Sequence, residues 1–210
     1  HPQRGVVAGT GGRTLGSLDG GALDDIVGRM KQVERFFKDR LDIDIYLTWG
    51  TLLGAARSGD FIGFDDDVDL AYFSPMASDH EIVEEHEVIR HLLFEHDMVV
   101  TLNSKGQIHI AADGGAATRQ QDAASLDLWT TWGRDGQYFH YPDIQGELPV
   151  EAVLPLRRLE LRGTEFWVPN RSEAILEEFY GPDWRVPDPN YAWYPKRDQG
   201  DPFEFLRHET

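Results

Sequence analysis

The sequence contains no cysteine. Disulfides and thiolate zinc sites are therefore excluded, whichever compartment holds the protein. No apolar run approaches the roughly 20 residues that a membrane span needs. Positive charge is scarce: 20 Lys and Arg stand against 37 Asp and Glu, a formal charge of −17. A surface so acidic repels phosphate backbones and anionic lipid headgroups, so nucleic acid is not expected as a partner. Apolar material is not scarce. Hydrophobic residues make up 40% of the 210 positions and aromatics 11%, enough for one domain with its own core. The chain starts at His1 without a signal-peptide pattern. It is expected to be a piece of a longer protein with companion domains, working in the cytoplasm or at the inner face of the membrane.

Residues 1–21, rich in Gly and small polar side chains, are expected to form a flexible arm, with the folded domain over 22–210. "GTGGRTLG" in that arm lacks a preceding strand and the full G-x-G-x-x-G spacing, so it is not read as a dinucleotide loop. Leu23, Ile26, Val27, Met30, Val33 and Phe37 recur at helical spacing and predict a helix over 23–40. "DIDIYLT" (42–48) alternates like a strand, and "WGTLLGAARSG" then opens a short helical turn. "VDLAYF" (68–73) reads as a second strand and 79–96 as a helix. "MVVTLN" and "QIHIAA" predict a hairpin around Lys105-Gly106. "SLDLWTTW" (125–132) and "YFHY" (138–141) read as strands, and "LRRLELRGTEFWVP" as a hairpin turning near Gly163. Asn170 and Glu173 make a capping-box signal for "SEAILEEFY", which Gly181-Pro182 should stop. Together these predict a mixed α/β domain around one sheet, with a C-terminal hairpin and helix.

The feature that demands chemistry is "GFDDDVDLAYF" (63–73), with four aspartates in five positions. Residues i and i+2 of a strand share a face, so Asp67 and Asp69 should project together while Val68 turns away. Two adjacent carboxylates repel unless a cation joins them, and hard oxygen ligands suit Mg²⁺ or Mn²⁺. Asp127, opposed to its apolar neighbours in "SLDLW", is the candidate third carboxylate. A calcium loop counted from Asp65 would need Gly and Glu where Leu70 and Met76 stand, so that reading fails. A solvated acidic turn does not explain the apolar strand that follows. A helix N-cap needs one Asp and leaves the rest unexplained.

Upstream, Gly50 and Thr51 open a helical turn whose N–H groups and hydroxyl suit phosphate oxygens, and Arg57 follows as a candidate phosphate partner. His109 lies opposite in parity to Ile108 and Ile110 and is a candidate contact to phosphate or acceptor. Lys196 and Arg197 are a basic pair in an acidic chain and candidates for the same work. "HEVIRH" (86–91) has Arg90 where a zinc-protease helix needs its second His, so it reads as a solvated face. Trp129, Trp132, Trp184, Trp193 and Tyr194 are expected mainly in the core, with one available to stack on a base or sugar.

These residues resemble a family. "YLTWGTLLGAARSGDFIGFDDDVDLAYF" is similar to the signature of the LicD family, which includes the fukutin-type proteins. The shared pattern is Gly50–Gly54, Arg57, Phe64, Asp65–Asp67, Val68 and Asp69; weaker likeness continues to about residue 187. Gly63-Phe64 departs from the Pro-Trp of many members. The resemblance implies a nucleotidyltransferase-type fold. It also implies Mg²⁺- or Mn²⁺-dependent transfer of a phospho-substituent, such as phosphocholine or ribitol phosphate. The donor would be CDP-linked and the acceptor a hydroxyl of a cell-surface glycan or polyol phosphate. On that basis Asp67, Asp69 and Asp127 hold metal, with Asp127 alternatively taking the acceptor's proton. Gly50 and Thr51 cradle phosphate, and Asp65 and Asp66 orient the loop or touch the acceptor. Two other functions remain open: transfer of a nucleoside monophosphate itself, and a non-catalytic glycan- or nucleotide-binding module.

Overall fold

The structure is a computed structural model and describes residues 15–63, 65, 67–96, 98–111, 125–188, 191 and 201–207. Apolar residues at helical spacing bury one face of α1 (Gly20–Leu41), including Ile26, Met30, Val33 and Phe37. Asp19 caps this helix by accepting from the Ala22 N–H at 2.9 Å, and Asp42 ends it with φ +54°. Order begins before the expected helix start. Leu15 is buried, and its N–H and that of Gly16 donate to the carbonyls of Asp65 and Gly63 at 2.6 and 2.9 Å. The inner end of the expected arm is thus strapped onto the acidic loop; residues 1–14 lie outside the described residues.

The strand expected over 42–48 is shorter, because Asp42 closes α1 and Thr48 stands at the start of the next helix. It is β1 (Ile45–Leu47), followed by α2 (Trp49–Ser58) and β2 (Asp67–Ser74). α3 (Asp79–Glu95) starts with a reciprocal capping box between Ser78 and Glu81. β3 (Val100–Ser104) and β4 (Gln107–Ile110) form the expected hairpin, and β5 (Ser125–Arg134) the long strand after it. β6 (Gln137–His140) returns from β5 through Asp135-Gly136, both at positive φ, as a two-residue hairpin prefers. β7 (Ile144–Pro149), which its Gly and Pro disguise in the sequence, pairs with β6.

β8 (Arg157–Leu161) and β9 (Thr164–Val168) form a separate hairpin turning at Arg162-Gly163, again at positive φ. α4 (Ser172–Tyr180) ends at Gly181 as expected. Its expected capping box is absent. Arg171 occupies the cap position, and the Asn170 amide instead donates to the Glu151 carbonyl at 3.1 Å.

The main sheet is mixed, in the order β1-β2-β5-β4-β3, with β6 and β7 continuing from β5. β2 and β5 run parallel; the other pairs are antiparallel. Parity divides the sheet into two faces. One carries Val68, Leu70, Tyr72, Leu126, Leu128 and Thr130 and packs against α1 and α3, as the Phe37–Tyr72 ring contact and the His86–Thr130 hydrogen bond show. The other carries Asp67, Asp69, Asp127 and Trp129. It meets α2 and α4, where Trp49 stacks on Phe179 with ring centroids 3.9 Å apart. Among the described residues no helix is long and apolar enough to cross a membrane.

α2 packs tightly against the loop that follows it. A Cβ on Gly54 would lie 2.4 Å from the Asp60 carbonyl oxygen and 3.2 Å from the Ile62 nitrogen, both backbone atoms. Gly54→Ala is expected to destabilise the protein by ~1–3 kcal/mol, as overpacking of a rigid site does. Urea unfolding midpoints check this; an unchanged midpoint would show that the loop moves aside freely.

Candidate active site

β2 and β5 are in parallel register, so Asp69 lies directly beside Asp127 and Asp67 beside Ser125. This register and the shared parity bring Asp67, Asp69 and Asp127 together. One oxygen of each lies within 4.8 Å of the others. Asp127 is only 6% exposed and Asp69 9%. Burial, and then the charges of Asp67 and Asp127, raise the Asp69 carboxyl well above the ordinary carboxylate range, against the Trp129 hydrogen bond that favours its charge. Three buried or half-buried carboxylate oxygens gathered within 4.8 Å of one another make a donor set that fits a hard divalent cation.

Each buried carboxylate is held by donors. Asp69 accepts from the Trp129 Nε1–H at 2.8 Å and from the Gly50 N–H at 3.2 Å. The Asp69 N–H donates to the Thr51 hydroxyl oxygen at 2.9 Å. The Gly50–Thr51 turn, expected to cradle phosphate, therefore faces β2 and grips Asp69, and Thr51 is 2% exposed. Asp65 packs over the turn: a Cβ on Gly50 would stand 2.4 Å from the Asp65 Oδ2, so a larger residue there would turn the Asp65 carboxylate aside.

Asp127 accepts from the Gln107 Nε2–H at 2.7 Å and from the His109 Nδ1–H at 2.7 Å. The Asp127 hydrogen bond raises the His109 pKa against the opposing effect of burial. His109 thus reaches the cluster through Asp127.

Arg57 does not line the cluster through its hydrogen bonds. Its guanidinium donates to the Trp184 carbonyl and, at 3.3 Å, to that of Val186, pinning the segment after α4. The residue at which that segment begins was unforeseen. Tyr180, at the end of α4, has its phenol pKa raised well above the ordinary value, by burial first and then by the Asp69 charge. Its ring lies 5.1 Å from that of Tyr191, whose hydroxyl donates to the Phe179 carbonyl at 3.4 Å. Asp66, Lys196, Arg197, Trp193 and Tyr194 lie outside the described residues. Gln107, Trp129 and Tyr180 are the site residues that sequence reasoning missed. For the first two a signal existed: Gln107 shares parity with His109, and Trp129 with Asp127.

The family model described as "LicD/FKTN/FKRP, nucleotidyltransferase domain" matches residues 42–171, more than half of the chain. The chain belongs to this family. Its fold is accordingly that of a nucleotidyltransferase domain, and the mixed sheet flanked by helices agrees with the expected class. No curated protein matches the chain. Among solved structures, that of ANT(2")-Ia in complex with adenylyl-2"-tobramycin is similar with a TM-score of 0.45 and 15% identity, over 76% of this chain and 79% of that one. Cid1, described as having RNA terminal uridylyl transferase activity, is similar with a TM-score of 0.37 and 10% identity. That match covers 53% of this chain and 31% of Cid1's.

Proposed function

We propose that this LicD-family domain transfers a phospho-substituent from a CDP-linked donor to a hydroxyl of a cell-surface glycan or polyol phosphate. The observation that carries the reading is that one oxygen of each of Asp67, Asp69 and Asp127 lies within 4.8 Å of the others, in a domain of this family. Mg²⁺ or Mn²⁺ held by these carboxylates would neutralise the donor diphosphate and the charge that develops on departing CMP.

The chain's own residues do the rest. Asp69 is aimed by Trp129, Gly50 and Thr51; Asp127 is aimed by Gln107 and His109. Asp65, packed over Gly50, adds its charge beside Asp69. His109 leaves its Nε2 edge for the acceptor or a donor phosphate, its side chain being 31% exposed. Asp66, Lys196 and Arg197 keep their proposed roles beside the acceptor and the phosphates. Arg57 contributes by holding the segment that follows Tyr180. In the reaction the acceptor oxygen forms a new P–O bond and the anhydride bond to CMP breaks. The hydroxyl proton passes to Asp127 as general base, or to solvent where Asp127 instead ligates a second ion.

The test is incubation with Mg²⁺, a panel of CDP-linked donors and candidate glycans. CMP should be released from one donor class. Pyrophosphate released from CTP would instead support transfer of the nucleoside monophosphate. Donor binding without any turnover would support a binding module.

A further inference from the structure

Strand β4 alternates cleanly. Ile108 and Ile110 turn into the core, while Gln107 and His109 turn to the face that bears the carboxylates. Antiparallel pairing sets His109 opposite Asp127 and Gln107 opposite Trp129. Two side chains of one strand thus reach the two oxygens of one carboxylate, Gln107 at Oδ2 and His109 at Oδ1, both at 2.7 Å. A carboxylate only accepts, so Gln107 must present its NH₂ and His109 a protonated Nδ1.

We propose that Gln107 and His109 are positioning residues, a two-point clamp that fixes the Asp127 carboxylate in the orientation a divalent cation requires. This rests on the reading of Asp67, Asp69 and Asp127 as a cation site. Carboxylates this close repel one another, and an unrestrained Asp127 would rotate away before an ion arrives. Each carboxylate oxygen has two lone pairs. The clamp occupies one on each oxygen and leaves the others for the cation. Hydrogen-bonded partners of metal-bound carboxylates act in this way generally, and their loss costs affinity for the ion.

The clamp has a rigid base. At the turn before β4, a Cβ on Gly106 would lie 2.6 Å from the Tyr141 ring, so the two segments are in closest contact there. The Gly106 carbonyl accepts from the Thr130 N–H at 3.0 Å, and the Lys105 N–H donates to the Leu206 carbonyl at 2.7 Å. The start of β4 is therefore tied to β5 and to the segment 201–207 at once. Gln107 stands one residue beyond this knot.

Mn²⁺ binding to the full chain, measured by calorimetry, tests the clamp without any need for substrate. Gln107→Met keeps the length and apolar stem of the side chain but has no donor. It is expected to raise the Mn²⁺ Kd about 10–100-fold. His109→Leu should do the same, whereas His109→Asn, which keeps an N–H donor near the place of Nδ1, should bind close to wild type. Wild-type Mn²⁺ affinity in Gln107→Met would overturn the clamp while leaving the cation site intact. Failure of the wild-type chain to bind Mn²⁺ would overturn both. Should His109→Leu fail to fold, Gln107→Met decides alone, its ion-free melting temperature serving as the control.

Discussion

Asp69→Ala is expected to lower turnover by ~10³-fold or more, because the variant loses the central carboxylate of the cluster. It is not expected to unfold the domain. The Asp69 charge is buried beside two other carboxylates, and its carboxyl is pushed well above the ordinary range. In the ion-free protein that charge is a cost, and its removal relieves the cost even as the Trp129 and Gly50 bonds are lost. A ligand that binds only the folded state stabilises it by about 2.7 kcal/mol at one hundred times its Kd. For a domain of this size that is a rise of roughly 5–10 °C in melting temperature. Mg²⁺ or Mn²⁺ should produce this rise in wild type and none in Asp69→Ala. Melting curves with and without the ion, set beside CMP release, check both halves. Full turnover in the variant, or in wild type with excess EDTA, would sink the metal mechanism.

The second large effect is on stability in mild acid. His140 is fully buried beneath the start of α2, and burial pushes its pKa down to about 3. Its Nδ1 faces the Tyr141 carbonyl at 2.9 Å and must carry the proton, so the Thr48 hydroxyl donates to Nε2 at 2.9 Å. His86, fully buried on α3, is pushed down to about 4, again by burial. Below the ordinary histidine pKa near 6.5, the unfolded chain binds protons that the folded chain refuses. The stability these groups contribute is complete above that value and drains as pH falls toward 4 and 3. The slope is about 1.4 kcal/mol per pH unit for each histidine. Asp69 works in the opposite sense, since with its raised pKa the folded chain takes up that proton first. Urea midpoints of wild type and His140→Gln between pH 7 and 5 separate the two. The variant should show a shallower slope, the difference growing to about 1.4 kcal/mol per pH unit at the acid end of that range. Parallel slopes would mean that His140 takes up its proton without unfolding. Because Thr48 leads into Gly50 and Thr51, loosening at His140 should reach the grip on Asp69.

Much of the molecule was legible in the sequence because its signals are local. The spacing of Ile26, Met30, Val33 and Phe37 identifies α1, and strand parity alone pairs Asp67 with Asp69. Asp127 was legible for the same reason, as a polar residue out of phase with Leu126 and Leu128. What escaped depends on distant partners. Gly50 and Thr51 look like a phosphate turn, yet β2 lies beside them and takes up the Gly50 N–H and the Thr51 oxygen. Arg57 looks like a phosphate ligand until the carbonyls of Trp184 and Val186, more than a hundred positions away, arrive beside it. Asn170 and Glu173 have the spacing of a capping box, but the helix starts one residue later, with Arg171 at the cap position, and the Asn170 NH₂ donates to the Glu151 carbonyl. Local chemistry was readable; competition for the same hydrogen bonds was not.

β5 supplies the site with Asp127 directly and with Trp129, the donor to Asp69, two positions later. From Ser125 to Trp132 the strand is matched to β2, Asp67 to Ser74, without a bulge. A one-residue slip of β5 against β2 would therefore invert its faces, turning Asp127 and Trp129 toward α1 and α3 and Leu126 and Leu128 into the cluster. The site has no intermediate settings along that axis. Variation among working versions of this domain must come from side chains that exchange in place and from the segments at its rim, never from sliding the strand.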